Sequence, residues 1–240
     1  MDFKKYNNLI DLFFEQTEKQ SKEKIFLYNL KDSKKNFTWG DVKHSVLQLG
    51  NQISKIIQKG DRCLLISENR PEWMISDLSI MLAGGITVPA YTTYVARDYE
   101  YIINDCTPSV IIVSNYEQFS KIKNICERNS SIKKIFSFEK LKDIESDSYF
   151  NINDLIEKKI ENNNLEFKID AQRSDPACII YTSGTQGNPK GVILSHGGIL
   201  SNCEGGYELL KPILEEETRF LTWLPLSHSY EHAVQFIQIA

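Results

Sequence analysis

Between Phe37 and Ser137 the chain alternates helical stripes of apolar residues with short continuous apolar runs. Thr38, followed three residues later by Asp41, reads as a cap for a helix carrying Val42, Val46, Leu49, Ile53 and Ile56 on one face, closed by Gly60. CLLIS at 63–67 is expected to be a buried strand. Pro71 opens a second helix bearing Met74, Leu78, Met81 and Leu82, which Gly84 and Gly85 end. The run ITVPAY at 86–91 reads as a strand, and Pro89, lacking an N–H, predicts a sheet edge or a strand end there. A short helix around Arg97–Asn104, a strand at SVIIV, a helix over Tyr116–Arg128 and a strand at KKIFSF complete the alternation. Such alternation predicts an α/β fold of parallel sheets covered by helices on both faces.

Residues 139–174 break the pattern. They are rich in Lys, Asn, Asp and Glu, with weak periodicity apart from a helix expected near 154–160, and read as a polar surface excursion or connector. The expected organisation is a first α/β subdomain over 1–138, this connector, and the start of a second subdomain over 175–240. QFIQIA closes the sequence inside a helical pattern, so a fragment of a longer protein is expected. There is no internal repeat.

Composition narrows the class. Of 240 residues, 41% are apolar and 25% charged, and 28 basic against 32 acidic side chains leave a net charge of −4, as in ordinary globular proteins. A collagen-like or wholly disordered chain is excluded, and a nucleic-acid binder relying on a net basic surface gains no support. No stretch approaches the roughly 20 apolar residues of a spanning helix, nor does the amino terminus carry an apolar leader core. A cytoplasmic location is the expectation. The five cysteines, at 63, 106, 126, 178 and 203, are scattered without a CxxC pair and are expected to be reduced, mostly buried thiols.

Chemistry concentrates in residues 177–200. ACIIYT and GVILS read as two strands, and SGTQGNPKG between them holds three glycines, Ser183, Thr185 and Lys190. Glycines permit close approach of successive backbone N–H groups to an anion, and a lysine adds a point charge suited to phosphate. A plain Gly-rich hairpin is the other reading of the same residues. A Walker A loop is excluded, because Pro189 stands where its second glycine belongs and Gly191 follows Lys190. A nucleophile elbow is excluded as well, since Ser183 has Tyr181 and Thr185 at the glycine offsets.

YTSGTQGNPKGV at 181–192 closely resembles the phosphate-loop motif [YF]TSGTTGxPKGV of the AMP-forming adenylating superfamily, which includes acyl-CoA synthetases, luciferases and peptide-synthetase adenylation domains; Gln186 alone departs. LPLSHSYEH at 224–232 resembles the family's next motif. GDRCLLISENRPEW at 60–73 and LAGGITVPAYTTY at 82–94 resemble the long-chain fatty acid CoA ligase branch, many members of which carry Arg where this chain has His232. The resemblance implies that Thr182, Ser183, Gly184, Thr185, Gly187 and Lys190 hold the β- and γ-phosphates of ATP. It also implies that Thr185 helps to position Mg2+ and that His228 lies beside the adenylate and acyl group. The implied small-molecule substrates are a fatty acid, ATP and coenzyme A, with peripheral membrane association through the fatty substrate. The acidic magnesium ligand, the adenine and ribose contacts and a catalytic lysine belong to later parts of such enzymes.

Other readings compete. A nucleotide-binding module without turnover, or a ligase for another acid, would carry the same loop. His228 and His232 flank Glu231 as HxxEH, the spacing of inverted zinc peptidases, and on a helix their rings would share a face; a polar helix start after Pro225 is the alternative. His196 is expected to end the strand after the loop and begin a helix, and His44 to be exposed. Trp39, Trp73 and Trp223 are expected in the core rather than as ligand stackers, with Trp223 close enough to the second motif to border a pocket. Arg70 and Pro71 are expected to organise a turn.

Overall fold

A computed structural model describes residues 1–30, 32, 35–141, 149–156, 167, 170–182, 189–215 and 218–240. The elements are α1 (Leu9–Lys19), β1 (Ile25–Leu27), β2 (Phe37–Thr38), α2 (Trp39–Ser54), β3 (Arg62–Ile66), α3 (Pro71–Leu82) and β4 (Ile86–Ala90). They continue with α4 (Ala96–Cys106), β5 (Val110–Val113), α5 (Tyr116–Arg128), β6 (Lys134–Ser137), β7 (Tyr149–Asn151), α6 (Ile152–Ile156), β8 (Pro176–Thr182), β9 (Lys190–Ser195), α7 (His196–Leu210) and α8 (Ser229–Ile239). Local chemistry starts the helices where the sequence says. Asp41 N–H donates to Thr38 Oγ1 at 3.1 Å while Thr38 N–H donates to Asp41 Oδ2 at 2.9 Å, a reciprocal cap on α2. Pro71 occupies the first turn of α3, where a missing N–H costs nothing. Gly60 and Gly84 adopt φ of +87° and +80°, and Gly60 N–H donates to Gly84 O at 2.8 Å, closing the turns that feed β3 and β4.

Seven strands form one sheet in the order β7-β6-β5-β3-β4-β8-β9. Every neighbouring pair is parallel except β8 and β9, which form an antiparallel hairpin. Alternation sorts the strand residues by face. Leu64, Ile66, Ile111 and Val113 meet α4 and α5, whereas Cys63, Leu65, Val110 and Ile112 meet α2, α3 and α6. A third cluster joins α1, α7 and α8 to α2, α3 and β8. Thus α3 is covered on all sides and every one of its residues is buried, Asp77 included. The expected first subdomain and the expected start of a second contribute strands to this one sheet.

Several expectations need correction. Pro89 falls at the strand end, one residue before β4 stops at Ala90, but β4 is an interior strand and not an edge, with Leu65 of β3 opposite the proline. The described pairing of β4 with β8 is confined to Thr87 and Cys178, so the missing N–H falls beyond that ladder. The polar stretch after residue 138 contributes β7 to the sheet edge, and its helix covers Ile152–Ile156, with residues 157–160 outside the described residues. His44 is half-buried, its Nε2 3.3 Å from Ile156 O. Trp39 and Trp73 are in the core, but Trp223 is 74% exposed. All five cysteines are unpaired thiols, four of them buried. Among the described residues no helix is long and apolar enough to cross a membrane.

Candidate functional site

The Gly-rich loop is the tip of the β8–β9 hairpin. Antiparallel register sets Thr182 opposite Lys190 and Tyr181 opposite Gly191, so the last strand pair holds the two ends of residues 183–189 together. Gly191 makes room for that crossing: a Cβ there would stand 2.9 Å from Ile179 Cγ2 and 3.3 Å from Tyr181 Cζ. Tyr181 is buried and donates its hydroxyl to Asp105 Oδ2 at 2.5 Å, tying the hairpin stem to α4. Burial, reinforced by that bond, pushes the Tyr181 phenol up and keeps it a neutral donor. Thr182 and Lys190 are exposed, and Lys190 makes no ion pair among the described residues. An unpaired ammonium at the mouth of a Gly-rich loop is disposed to meet an anion.

The second motif starts α8. His228 caps it: Nδ1 accepts the Tyr230 N–H at 3.2 Å, so a neutral ring carries its proton on Nε2. The residue is exposed. Glu231 is buried, and burial raises its carboxyl above the usual range against the opposing pull of the Leu224 N–H. His232 is 1% exposed, with Nε2 2.8 Å from Asp77 Oδ2 of α3, and Gln235 Nε2 donates to the same oxygen at 2.7 Å. Burial opposes charge on this imidazole, but Asp77 and, after it, Cys178 together outweigh burial and hold the ring's pKa well above its ordinary value. His196 contrasts with it: it begins α7 as expected, and its Nδ1 accepts the Leu9 N–H at 3.4 Å. Burial drives its pKa down to about 4.

The structure therefore brings Thr182 and Lys190 together, while no hydrogen bond or ion pair joins His228 to the hairpin among the described residues. Ser183, Gly184, Thr185 and Gly187 lie outside the described residues. The HxxEH histidines part company, one an exposed cap and the other buried on α3. Among the described residues no three His, Cys, Asp or Glu side chains gather as a metal site, so the zinc reading finds no site here. Sequence reasoning missed Asn69. Its Nδ2 donates to Leu224 O at 2.6 Å and its Oδ1 accepts the Leu226 N–H at 2.9 Å, fastening the second motif to the turn after β3. Asp77 was missed too. Both partners lie more than 150 positions away in sequence, beyond any local signal.

Two clefts flank the sheet. One, of about 470 Å³, opens at the carboxyl end of β3, among Tyr28, Asn69, Arg70, Met74, Thr222 and Leu226. Crevices at this end of parallel strands are where α/β folds take ligands. The other, of about 480 Å³, lies at the opposite end beside Gly60, Gly84, Asp175 and His196, away from both motifs. Arg70 in the first cleft is engaged by Glu72 at 3.0 Å and Glu139 at 3.4 Å. None of Thr182, Lys190 and His228 lines either cleft.

Residues 13–239 match the family of AMP-binding enzymes. The chain belongs to that family. It is 29% identical over 229 residues to the long-chain-fatty-acid–CoA ligase ACSBG1 of Rattus norvegicus, covering 93% of this chain and 30% of that protein. Fatty acyl-CoA synthetase A of Dictyostelium discoideum is 32% identical over 218 residues, covering 85% of this chain and 32% of its own length. The chain thus spans less than a third of either curated relative. A luciferase-like enzyme from the nonluminescent mealworm Zophobas morio superposes with a TM-score of 0.81 at 18% identity, over all of this chain and 53% of that one, a likeness of fold. For this AMP-binding enzyme the hairpin 176–195 and the start of α8 are the two motif-bearing segments, and the ENRPEW turn holds the second of them in place.

Proposed function

We propose that the chain is part of an AMP-forming acyl-CoA synthetase that activates a medium- to long-chain fatty acid. The observation that carries this reading is the hairpin stem: Thr182 opposite Lys190, with the lysine exposed and without a carboxylate partner among the described residues, at the two ends of a Gly-rich loop. The names of the curated relatives support the choice of acid.

In the first step a carboxylate oxygen of the fatty acid attacks the α-phosphorus of ATP; the bond to the bridging oxygen breaks and pyrophosphate leaves, giving acyl-adenylate. In the second step the coenzyme A thiol adds to the acyl carbon, loses its proton, and AMP departs. The protein's part is chiefly placement and charge stabilisation. Thr182, Ser183, Gly184, Thr185, Gly187 and Lys190 hold the β- and γ-phosphates, and the Lys190 ammonium meets charge that grows on the departing pyrophosphate. Mg2+, when bound, neutralises phosphate charge, and the Thr185 hydroxyl is the group of this chain assigned to orient it. His228, at the head of α8, stands beside the adenylate and acyl group. Residues 1–138 and 175–240 are read as successive subdomains joined through 139–174, in a cytoplasmic enzyme with peripheral membrane association through its fatty substrate.

The test is ATP–pyrophosphate exchange by the gene product at full length. Exchange that depends on a fatty acid is expected. Exchange driven only by amino acids or aryl acids would overturn the substrate, and ATP binding without exchange would favour a nucleotide-binding module.

A further inference from the structure

The stretch from Asn69 to Asp77, the turn after β3 and the first half of α3, holds the second motif and the helix it opens at two points, one on each side of His228. Upstream, Asn69 holds Leu224 and Leu226 by their backbones, at 2.6 and 2.9 Å. Downstream, Asp77 holds His232 and Gln235 at 2.8 and 2.7 Å. Between these points the chain is wound tightly: His228 N–H donates to Pro225 O at 2.8 Å, and His228 O accepts the His232 N–H at 2.9 Å. The orientation of the His228 backbone is thereby linked to that of His232 by one helical turn.

The downstream grip is built for placement. Asp77 and His232 are 0% and 1% exposed, and the imidazole lies edge-on to Trp73 with centroids 5.5 Å apart and beside Phe236 at 5.6 Å. A buried ion pair is a poor source of stability, because apolar residues of equal volume often do as well; its best-attested use is to fix register between packed elements. Asp77 Oδ1, His232 Nδ1 and Gln235 Oε1 have no further hydrogen-bond partner among the described residues, and the two hydrogen bonds to Asp77 Oδ2 run between α3 and α8, beside the Cys178 thiol of β8. A slip of α8 along α3 would break them.

We propose that His232, through its ion pair with Asp77, is a positioning residue for His228, setting the rotation and register of the first turn of α8. The inference rests on the reading that His228 stands beside the acyl group, and it is testable apart from that reading.

Nitrogen-15 spectra of the protein at full length, with the Tyr230 amide and the histidine rings assigned, report placement directly. His232→Gln, which removes the charge, is expected to shift the Tyr230 amide and the His228 ring nitrogens, while His232→Arg, which keeps a cation with several donors, returns them to the wild-type positions. Should His232→Gln fail to fold, Gln235→Leu, which removes one of the two bonds to Asp77, is expected to shift the Tyr230 amide in the same direction by less. Unchanged Tyr230 and His228 signals in a folded variant would overturn the proposal, whatever the chain's activity. In the gene product at full length, His232→Gln is expected to lower kcat for fatty-acid-dependent exchange at least tenfold with KM for ATP within twofold, and His232→Arg to restore it. Wild-type protein without exchange would refute the function and leave the spectral result to decide the placement.

Discussion

The β8–β9 hairpin and the α3–α8 contact treat a cation in opposite ways. On the hairpin Lys190 stays in water, with no ion pair among the described residues. Between the helices His232 is sealed from solvent on the Asp77 carboxylate. A solvated lysine without a carboxylate partner is open to an anion. An imidazolium matched to a buried carboxylate is neutralised where it stands, and what it provides is geometry. On the function proposed above, the hairpin would meet a ligand while the contact between α3 and α8 holds a helix.

That contrast is open to attack by mutation and pH. The largest effect is expected from Asp77→Ala, which strands a buried cation: a loss of about 3–5 kcal/mol in urea unfolding. Asp77→Leu combined with His232→Leu should recover most of that loss, because two apolar side chains need no partner; a double variant as unstable as the single one would count against the ion-pair account. Next comes pH. His232 has its folded pKa raised to about 10 from an ordinary 6.5, as Asp77 and Cys178 together outweigh burial, so its contribution is fully present below 6.5 and is lost as pH rises toward 10. His196, lowered to about 4 by burial, contributes above 6.5 and loses that contribution as pH falls through 4. The two histidines therefore favour a stability maximum near pH 6.5, and urea midpoints in His232→Gln should lack the alkaline decline; a decline of unchanged slope would break the assignment.

Smaller effects separate the regions further. Asn69→Ala removes bonds to the backbone of 224–226 at the protein surface and is expected to cost about 1 kcal/mol by thermal unfolding. Lys190→Ala should change stability by no more than about 0.5 kcal/mol, since an exposed, unpaired side chain supports nothing. A loss of 2 kcal/mol there would mean that the lysine is structural and the contrast false.

Much of this was legible where the physics is local. Thr38 with Asp41, Pro71 at the first turn of α3, and the full span Tyr116–Arg128 of α5 follow from capping chemistry and helical period alone. The fold class and the family followed from strand and helix alternation and from residues 181–192. Pro89 marked a strand end, as one of its two readings had it, and the other reading, a sheet edge, failed because strand order is set by tertiary structure. The three-residue strand β7 is too short to show alternation within a polar stretch. At the site, the stem residues Thr182 and Lys190 could be named from sequence, but the seating of the second motif could not. Asn69 and Asp77 look like ordinary turn and helix residues until the fold sets them against 224–235.

The most direct test of the account is fatty-acid-dependent ATP–pyrophosphate exchange by the gene product at full length, wild type beside Lys190→Ala. The account predicts exchange with medium- and long-chain fatty acids that falls by about 100-fold in kcat/KM in the variant, the scale for removing one donor aimed at developing charge, with stability unchanged. Exchange undiminished in Lys190→Ala, or absent with every fatty acid while another class of acid supports it, would contradict it.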